Sequence, residues 1–173
     1  FLGGKLIALE KKGGGVRPIA CGSTTRRIVA KALCAMFRAD IEAAVGSRQY
    51  GVGVEAGCEK LHKIVSAQAQ STPSTVVMSF DAANAFNTIS RNRVRAAVGA
   101  RIPALARVCG WWYARKTKHT FWDELHRAHD VWAEEGVDQG CALSPALFAI
   151  ALAPELDRTE RTLREFHAST CVY

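Results

Sequence analysis

The spacing of hydrophobic and polar positions changes several times along this chain, and each change predicts an element. Residues 4–9 (GKLIAL) and 16–20 (VRPIA) are short apolar runs. They read as two strands, with the basic, glycine-rich EKKGGG between them closing a hairpin. Pro18 lacks an amide hydrogen, so either the second strand lies at a sheet edge or position 18 faces away from the ladder. Ser23, Thr24 or Thr25 is placed to cap a helix running to about Val45. Its apolar stripe is Ile28, Ala32, Leu33, Met36, Phe37 and Ile41, and Gly46 suits its end. A loop follows over 49–57 (QYGVGVEAG). A second helix then runs to about Gln70 with Leu61, Ile64 and Val65 inward, and QSTPS (70–74) is a turn.

Residues 75–80 (TVVMSF) are continuously apolar and β-branched, the pattern of a strand covered on both faces. Another helix is expected from near Ser90, and Pro103 fits the first turn of the next. Residues 111–132 hold all four tryptophans and three of the five histidines. The tryptophans are read as packing rather than as a base-stacking platform. The pair His126 and His129 is read as surface residues rather than metal ligands. Residues 134–156 form a glycine-rich turn that enters a strongly apolar helix. Ser144 and Pro145 make a cap-then-proline start, and Pro154 is expected to kink or end the helix. The pattern as a whole is mixed α/β, with no internal repeat.

Composition adds a partner class. The 173 residues carry 23 Lys and Arg against 16 Asp and Glu, a net of +7. Residues 1–40 hold eight bases and two acids, so the excess is concentrated there. A basic N-terminal third suits a polyanion, most simply nucleic acid. Arg26, Arg27 and Lys31 sit at a helix start, where helix polarity disfavours cations, which hints at a nearby anion. Six cysteines without a C-x-x-C pair are expected as mostly buried free thiols in a reducing compartment. No apolar run reaches the ~18–20 residues that a membrane-spanning helix needs. The ends, FLGG without Met and CVY, read as cuts within a longer protein.

Candidate chemistry centres on Asp81 in SFDAANAF. A carboxylate at the C-terminal end of a buried strand is suited to hold a hard divalent cation. GGGVRPIA, QYGVGVEAGCE, SFDAANAFN and GVDQGCALSPALF occur in that order. Together they resemble the reverse transcriptase domain of retrotransposons lacking long terminal repeats, over about Leu6 to Tyr173.

The resemblance implies an incomplete right-hand polymerase fold. Fingers would come from about 1–74 and part of 100–138. A partial ferredoxin-like palm would come from 75–99 and 139–173. It implies RNA-directed DNA synthesis by two-metal nucleotidyl transfer with Mg2+ (or Mn2+). The partners would be an RNA template, a DNA primer and deoxynucleoside triphosphates, without a membrane. The location would be intracellular, and nuclear for a eukaryotic element.

By the same resemblance Asp81 and the backbone carbonyl of Ala82 are metal ligands. Phe86 excludes a 2′-hydroxyl by its bulk. Ala83, Asn84 and Ala85 line the nucleotide pocket. Arg17, with Lys12 or Lys11, meets the triphosphate through forked or point-charge contacts. Gln139 and Gly140 contact nucleotide and template. Arg26, Arg27, Ser144 and Pro145 lie along template and primer.

Two departures stand out. Asn87 and Asp138 occupy positions where the family commonly has Asp and a neutral residue. An acid at 138 beside a polyanion is mildly unfavourable. The family's second carboxylate pair and its thumb are absent, and HASTCVY (167–173) reads as a strand leading towards that pair. This span is therefore expected to be inactive by itself. Rival readings are a decayed or domesticated nucleic-acid-binding module, an intron-type maturase, and an RNA-dependent RNA polymerase. The aromatic at 86 argues against the last.

Overall fold

The structure, a computed structural model, describes residues 3–166 and 168–173. Residues 1–2 of the expected fingers and His167 of the expected last strand lie outside the described residues. Strands β1 (Gly4–Glu10) and β2 (Val16–Gly22) form the expected antiparallel hairpin, in register from Gly4 opposite Gly22 to Glu10 opposite Val16. Its turn closes with the Lys11 amide donating to the Gly15 carbonyl at 3.0 Å. The hairpin joins a second one, β3 (Thr117–Trp122) and β4 (Ala128–Ala133), through parallel pairing at Lys5 and Thr120. The sheet order β2-β1-β3-β4 leaves β2 at an edge, one of the two placements open to Pro18. The second hairpin was hidden by its mixed sequence, TKHTFW and AHDVWA, which has neither clean alternation nor a two-residue glycine turn.

Helix α1 (Thr24–Met36) is capped by Ser23, whose side chain accepts from the Arg26 amide at 3.3 Å. The single helix expected to reach Val45 is broken at Phe37, and α2 (Arg38–Val45) continues after it to Gly46. The inward stripe is also rotated from the expected one. Arg26, Ala30, Leu33, Cys34, Phe37 and Ile41 face the interior, whereas Ile28 and Met36 are exposed. The buried Arg26 sets that rotation.

Helix α3 (Gly57–Ser71) half-buries Leu61 and Val65 but leaves Ile64 exposed. A short α4 (Ala85–Thr88) precedes α5 (Arg91–Arg101), α6 (Pro103–Tyr113) and α7 (Ser144–Arg164). Ser90 caps α5 and Pro103 opens α6, both as expected. The core lies where α5, α6 and α7 meet α2. Val94, Val98, Leu105, Leu147 and Ile150 are fully enclosed there. These residues recur at three- and four-residue spacing, so each helix turns one stripe inward. Cys109 and Cys141 are buried, but Cys58 and Cys171 are exposed, against the expectation of burial.

Two further expectations are corrected and a third is narrowed. Residues 75–80 are not in a strand, and Val76, Val77, Met78 and Phe80 are exposed. An apolar run becomes a strand only where a neighbour takes its backbone hydrogen bonds, and no described segment pairs with this one. Residues 168–173 form no strand either. Their sheet-like contact is a single bridge between Gln49 and Val172. Of the two outcomes expected at Pro154, a helix end is excluded, because α7 runs on to Arg164. Its distal half is held independently of the missing backbone bond. Asp157 binds Arg48 at 2.6 Å and Arg101 at 2.8 Å, and Glu155 binds Arg93 at 3.0 Å.

Candidate functional site

Three sequence segments converge on residues 81–87. Asp81 follows the extended run and precedes the turn into α4, where Asn84 takes a left-handed backbone with φ 51°. Asp81, Ala82, Ala83 and Asn84 are exposed, and Ala85 and Phe86 are half-buried. From the hairpin, Lys11 Nζ donates to Asn84 Oδ1 at 3.5 Å. From the loop before α7, the Val137 amide donates to the Phe86 carbonyl at 2.7 Å, and the Gly136 amide to the Ile89 carbonyl at 2.9 Å. From α7 itself, Phe148 stacks on Phe86 with ring centroids 5.0 Å apart and planes 11° off parallel. The half-buried Phe86 ring is thus fixed from one side.

The turn at Gln139 and Gly140 is tied to the hairpin as well. The Ala20 amide on the free edge of β2 donates to the Gln139 carbonyl at 2.7 Å. Gly140 has φ 108°, and a Cβ there would meet the Ala20 carbonyl oxygen at 3.0 Å and Ile19 Cγ2 at 3.1 Å. The position therefore needs glycine for backbone geometry and for close approach. Gln139 Oε1 is buried without a hydrogen-bond partner among the described residues.

Beneath that turn lies a buried polar cluster. Arg26 Nη2 contacts Asp138 Oδ2 at 2.7 Å, with the two side chains 2% and 7% exposed. His119 Nε2 donates to the other carboxylate oxygen at 3.2 Å. Tyr113 Oη accepts from Arg26 Nη2 at 3.3 Å and from the Asp138 amide at 3.4 Å. The Tyr113 and Ser144 hydroxyls are 3.4 Å apart. The Arg26 guanidinium also lies over the Trp112 ring at 4.9 Å. Arg91 closes the cluster, donating from Nε to the Gly136 carbonyl and from Nη1 to the Arg115 carbonyl, each at 2.9 Å.

Burial raises the Asp138 carboxyl, but the His119 hydrogen bond and the Arg26 and Arg91 charges outweigh it. The net shift is below the ordinary carboxylate range. Burial, then the Asp138 charge, pushes the Tyr113 phenol well up. Burial lowers Arg91.

This cluster corrects three sequence expectations. Arg26 does not face a template strand, because its charge is spent on Asp138 inside the fold. The anion hinted at by the cationic helix start is, for Arg26, this internal one. Asp138 is not a surface acid repelling a polyanion. Ser144 is fully buried in the hydroxyl network, and the cap position belongs to Leu143, which makes no side-chain cap bond. Arg27 and Pro145 remain exposed. His119, Tyr113 and Arg91 were missed. The legible signal was the unusual acid at 138, which needed a buried cation.

Of the two candidate lysines, Lys11 reaches segment 81–87, while Lys12 and Arg17 are exposed on the hairpin. Among the described residues no hydrogen bond or ion pair engages the Asp81 carboxylate, and no group of three His, Cys, Asp or Glu side chains gathers as a metal site. A carboxylate next to a backbone carbonyl is a hard-oxygen donor set of the kind magnesium takes, with water and phosphate completing its shell.

The family model described as Reverse transcriptase (RNA-dependent DNA polymerase) matches residues 9–173. No curated protein matches the chain.

Proposed function

Because the chain belongs to the reverse transcriptase family, we propose that it forms the fingers and the first part of the palm of a non-LTR retrotransposon polymerase. Residues 1–74 with part of 100–138 would be fingers, and 75–99 with 139–173 palm. The sheet that joins 4–22 to 117–133 supports the first grouping, and the packing of α5 on α7 supports the second. The intact enzyme copies an RNA template onto a DNA primer from deoxynucleoside triphosphates. In a eukaryotic element this occurs in the nucleus.

The observation that carries this reading is the convergence on residues 81–87. Hairpin, turn and α7 meet there, through Lys11–Asn84, Val137–Phe86 and Phe148–Phe86. Asp81 and the Ala82 carbonyl would hold Mg2+ or Mn2+, which when bound supplies charge neutralisation at the triphosphate and activates the primer hydroxyl. Lys11, with Arg17 and Lys12 on the same hairpin, meets the phosphates. Ala83 and Ala85 admit the substrate close to backbone. Asn84 lines the pocket, and Gln139 and Gly140 meet nucleotide and template. Phe86, held by Phe148, blocks a 2′-hydroxyl. Arg27 and Pro145 face the template–primer. Two metal ions need more carboxylates than Asp81, so the described span does not extend primers by itself.

The test is Asp81→Asn in the full-length polymerase. Primer extension is lost while template binding persists. Undiminished extension would overturn the metal-ligand role.

A further inference from the structure

Three of the four tryptophans are not packed as expected. Trp111, Trp122 and Trp132 are 64%, 43% and 56% exposed, and two of them share one surface. Residues opposite one another in a sheet project from the same face. The pairs Lys118–Trp132, Thr120–Asp130, Trp122–Ala128 and Lys5–Thr120 therefore define a single outer face. The other face carries Thr117 and His119, both buried.

On the outer face lies an open groove of about 610 Å³, with Gly3 and Gly4 as a bare backbone wall and Trp122 and Trp132 among its sides. Gly3 cannot be larger, because a Cβ would run into the Lys118 carbonyl. Each indole carries an ammonium over its ring. Lys5 Nζ lies 5.7 Å from the Trp122 ring centre, and Lys116 Nζ 5.6 Å from that of Trp132. Two acids are present. Asp130 is met by Lys118 at 3.1 Å, and Glu134 by Lys116 at 3.4 Å. Both pairs are exposed, and such pairs contribute little, so phosphate can displace them.

We propose that this face binds a single-stranded segment of RNA, with unpaired bases stacking on Trp122 and Trp132 and the backbone running past Lys5, Lys116 and Lys118. Exposed flat rings interleaved with cations suit unpaired bases, whose faces a duplex would hide. The register sets Trp122 four residues along β3 from Lys118, the partner of Trp132, about 13 Å at ~3.3 Å per residue. That exceeds the ~3.4 Å spacing of stacked bases. The two rings thus engage separate bases and not one continuous stack. The choice of RNA over DNA rests on the polymerase reading above. The stacking surface itself does not.

The experiment uses the 173-residue chain and a fluorescein-labelled single-stranded RNA of mixed sequence, read by anisotropy. Trp122→Ala and Trp132→Ala are each expected to weaken binding about 5- to 100-fold, with circular dichroism unchanged. Trp132→Phe retains most of the affinity, and Trp111→Ala, on α6, leaves it unchanged. Crosslinking of 4-thiouridine RNA to the unmodified chain is expected to label peptides within 116–132. Full affinity in both tryptophan variants overturns the proposal. So does crosslinking confined to 11–17, or equal binding of duplex RNA. A concentration-dependent dimer that the tryptophan variants abolish would assign the face to a second copy instead. Single-stranded DNA binding tighter than RNA would reject the choice of strand. These readings are of RNA binding and need no primer extension, so failure of this face and failure of the polymerase reading are separate outcomes.

Discussion

The Ala20 amide and the Gln139 carbonyl, 2.7 Å apart, join the free edge of β2 to the turn that precedes α7. Two segments more than a hundred residues apart in sequence are thereby held as one piece. The Ala20 amide should exchange slowly with solvent. The amides of residues 76–80, outside any helix or strand and exposed, should exchange near the rate of an unfolded chain. Hydrogen-exchange mass spectrometry checks both. Strong protection over 76–80 would show that a strand forms there in solution.

Arg26→Ala leaves Asp138 buried with His119 but without its guanidinium partner. Removing one member of a buried ion pair costs about 3–5 kcal/mol. The expected result is that loss in the denaturant midpoint, or failure to fold. Arg26→Lys should recover only part of it, because an ammonium cannot both reach Asp138 with a fork and lie flat over Trp112. Chemical denaturation separates the two variants.

Asp138 also sets an acid limit. Its carboxyl is held below the ordinary range in the folded state. It therefore contributes stability above the unfolded value of about 3.9, and that contribution is lost as pH falls through the lower folded value. Folding free energy measured from pH 6 downward should begin to drop near pH ~4. Asp138→Asn should be less stable at neutral pH and flatter across that acid limb. Asp123 is likewise lowered, to about 2, chiefly by hydrogen bonds from His129 and from the Arg127 amide.

Phe86→Ala removes both a stacked ring and, on the proposed reading, the sugar filter. Because the ring is half-buried, the stability loss should be about 2 kcal/mol, below the ~3–5 of a fully buried phenylalanine. In the full-length enzyme the ratio of ribonucleotide to deoxynucleotide incorporation should rise. Phe86→Tyr should keep the original selection. An unchanged ratio in the alanine variant would remove the filter role and leave Phe86 as a packing residue.

Much of the architecture was legible in the chain. The EKKGGG turn, the proline at 18, the serines at 23 and 90 and Pro103 each act through their own backbone neighbours, so hairpin, edge and helix starts could be read locally. The ordered motifs around Asp81, Gln139 and Ser144 identified the family, because their spacing carries the chemistry.

Tertiary structure decided what local pattern cannot encode. Whether TVVMSF becomes a strand depends on a neighbour for its amides, and its composition does not reveal that neighbour. Whether Arg26 meets a phosphate or a carboxylate depends on where Asp138, more than a hundred residues away, is buried. Whether Trp122 and Trp132 pack or face solvent depends on which side of the β3–β4 hairpin meets the helices. The sequence determined the chemistry available. Long-range pairing determined which charges were consumed inside the fold and which rings were left outside.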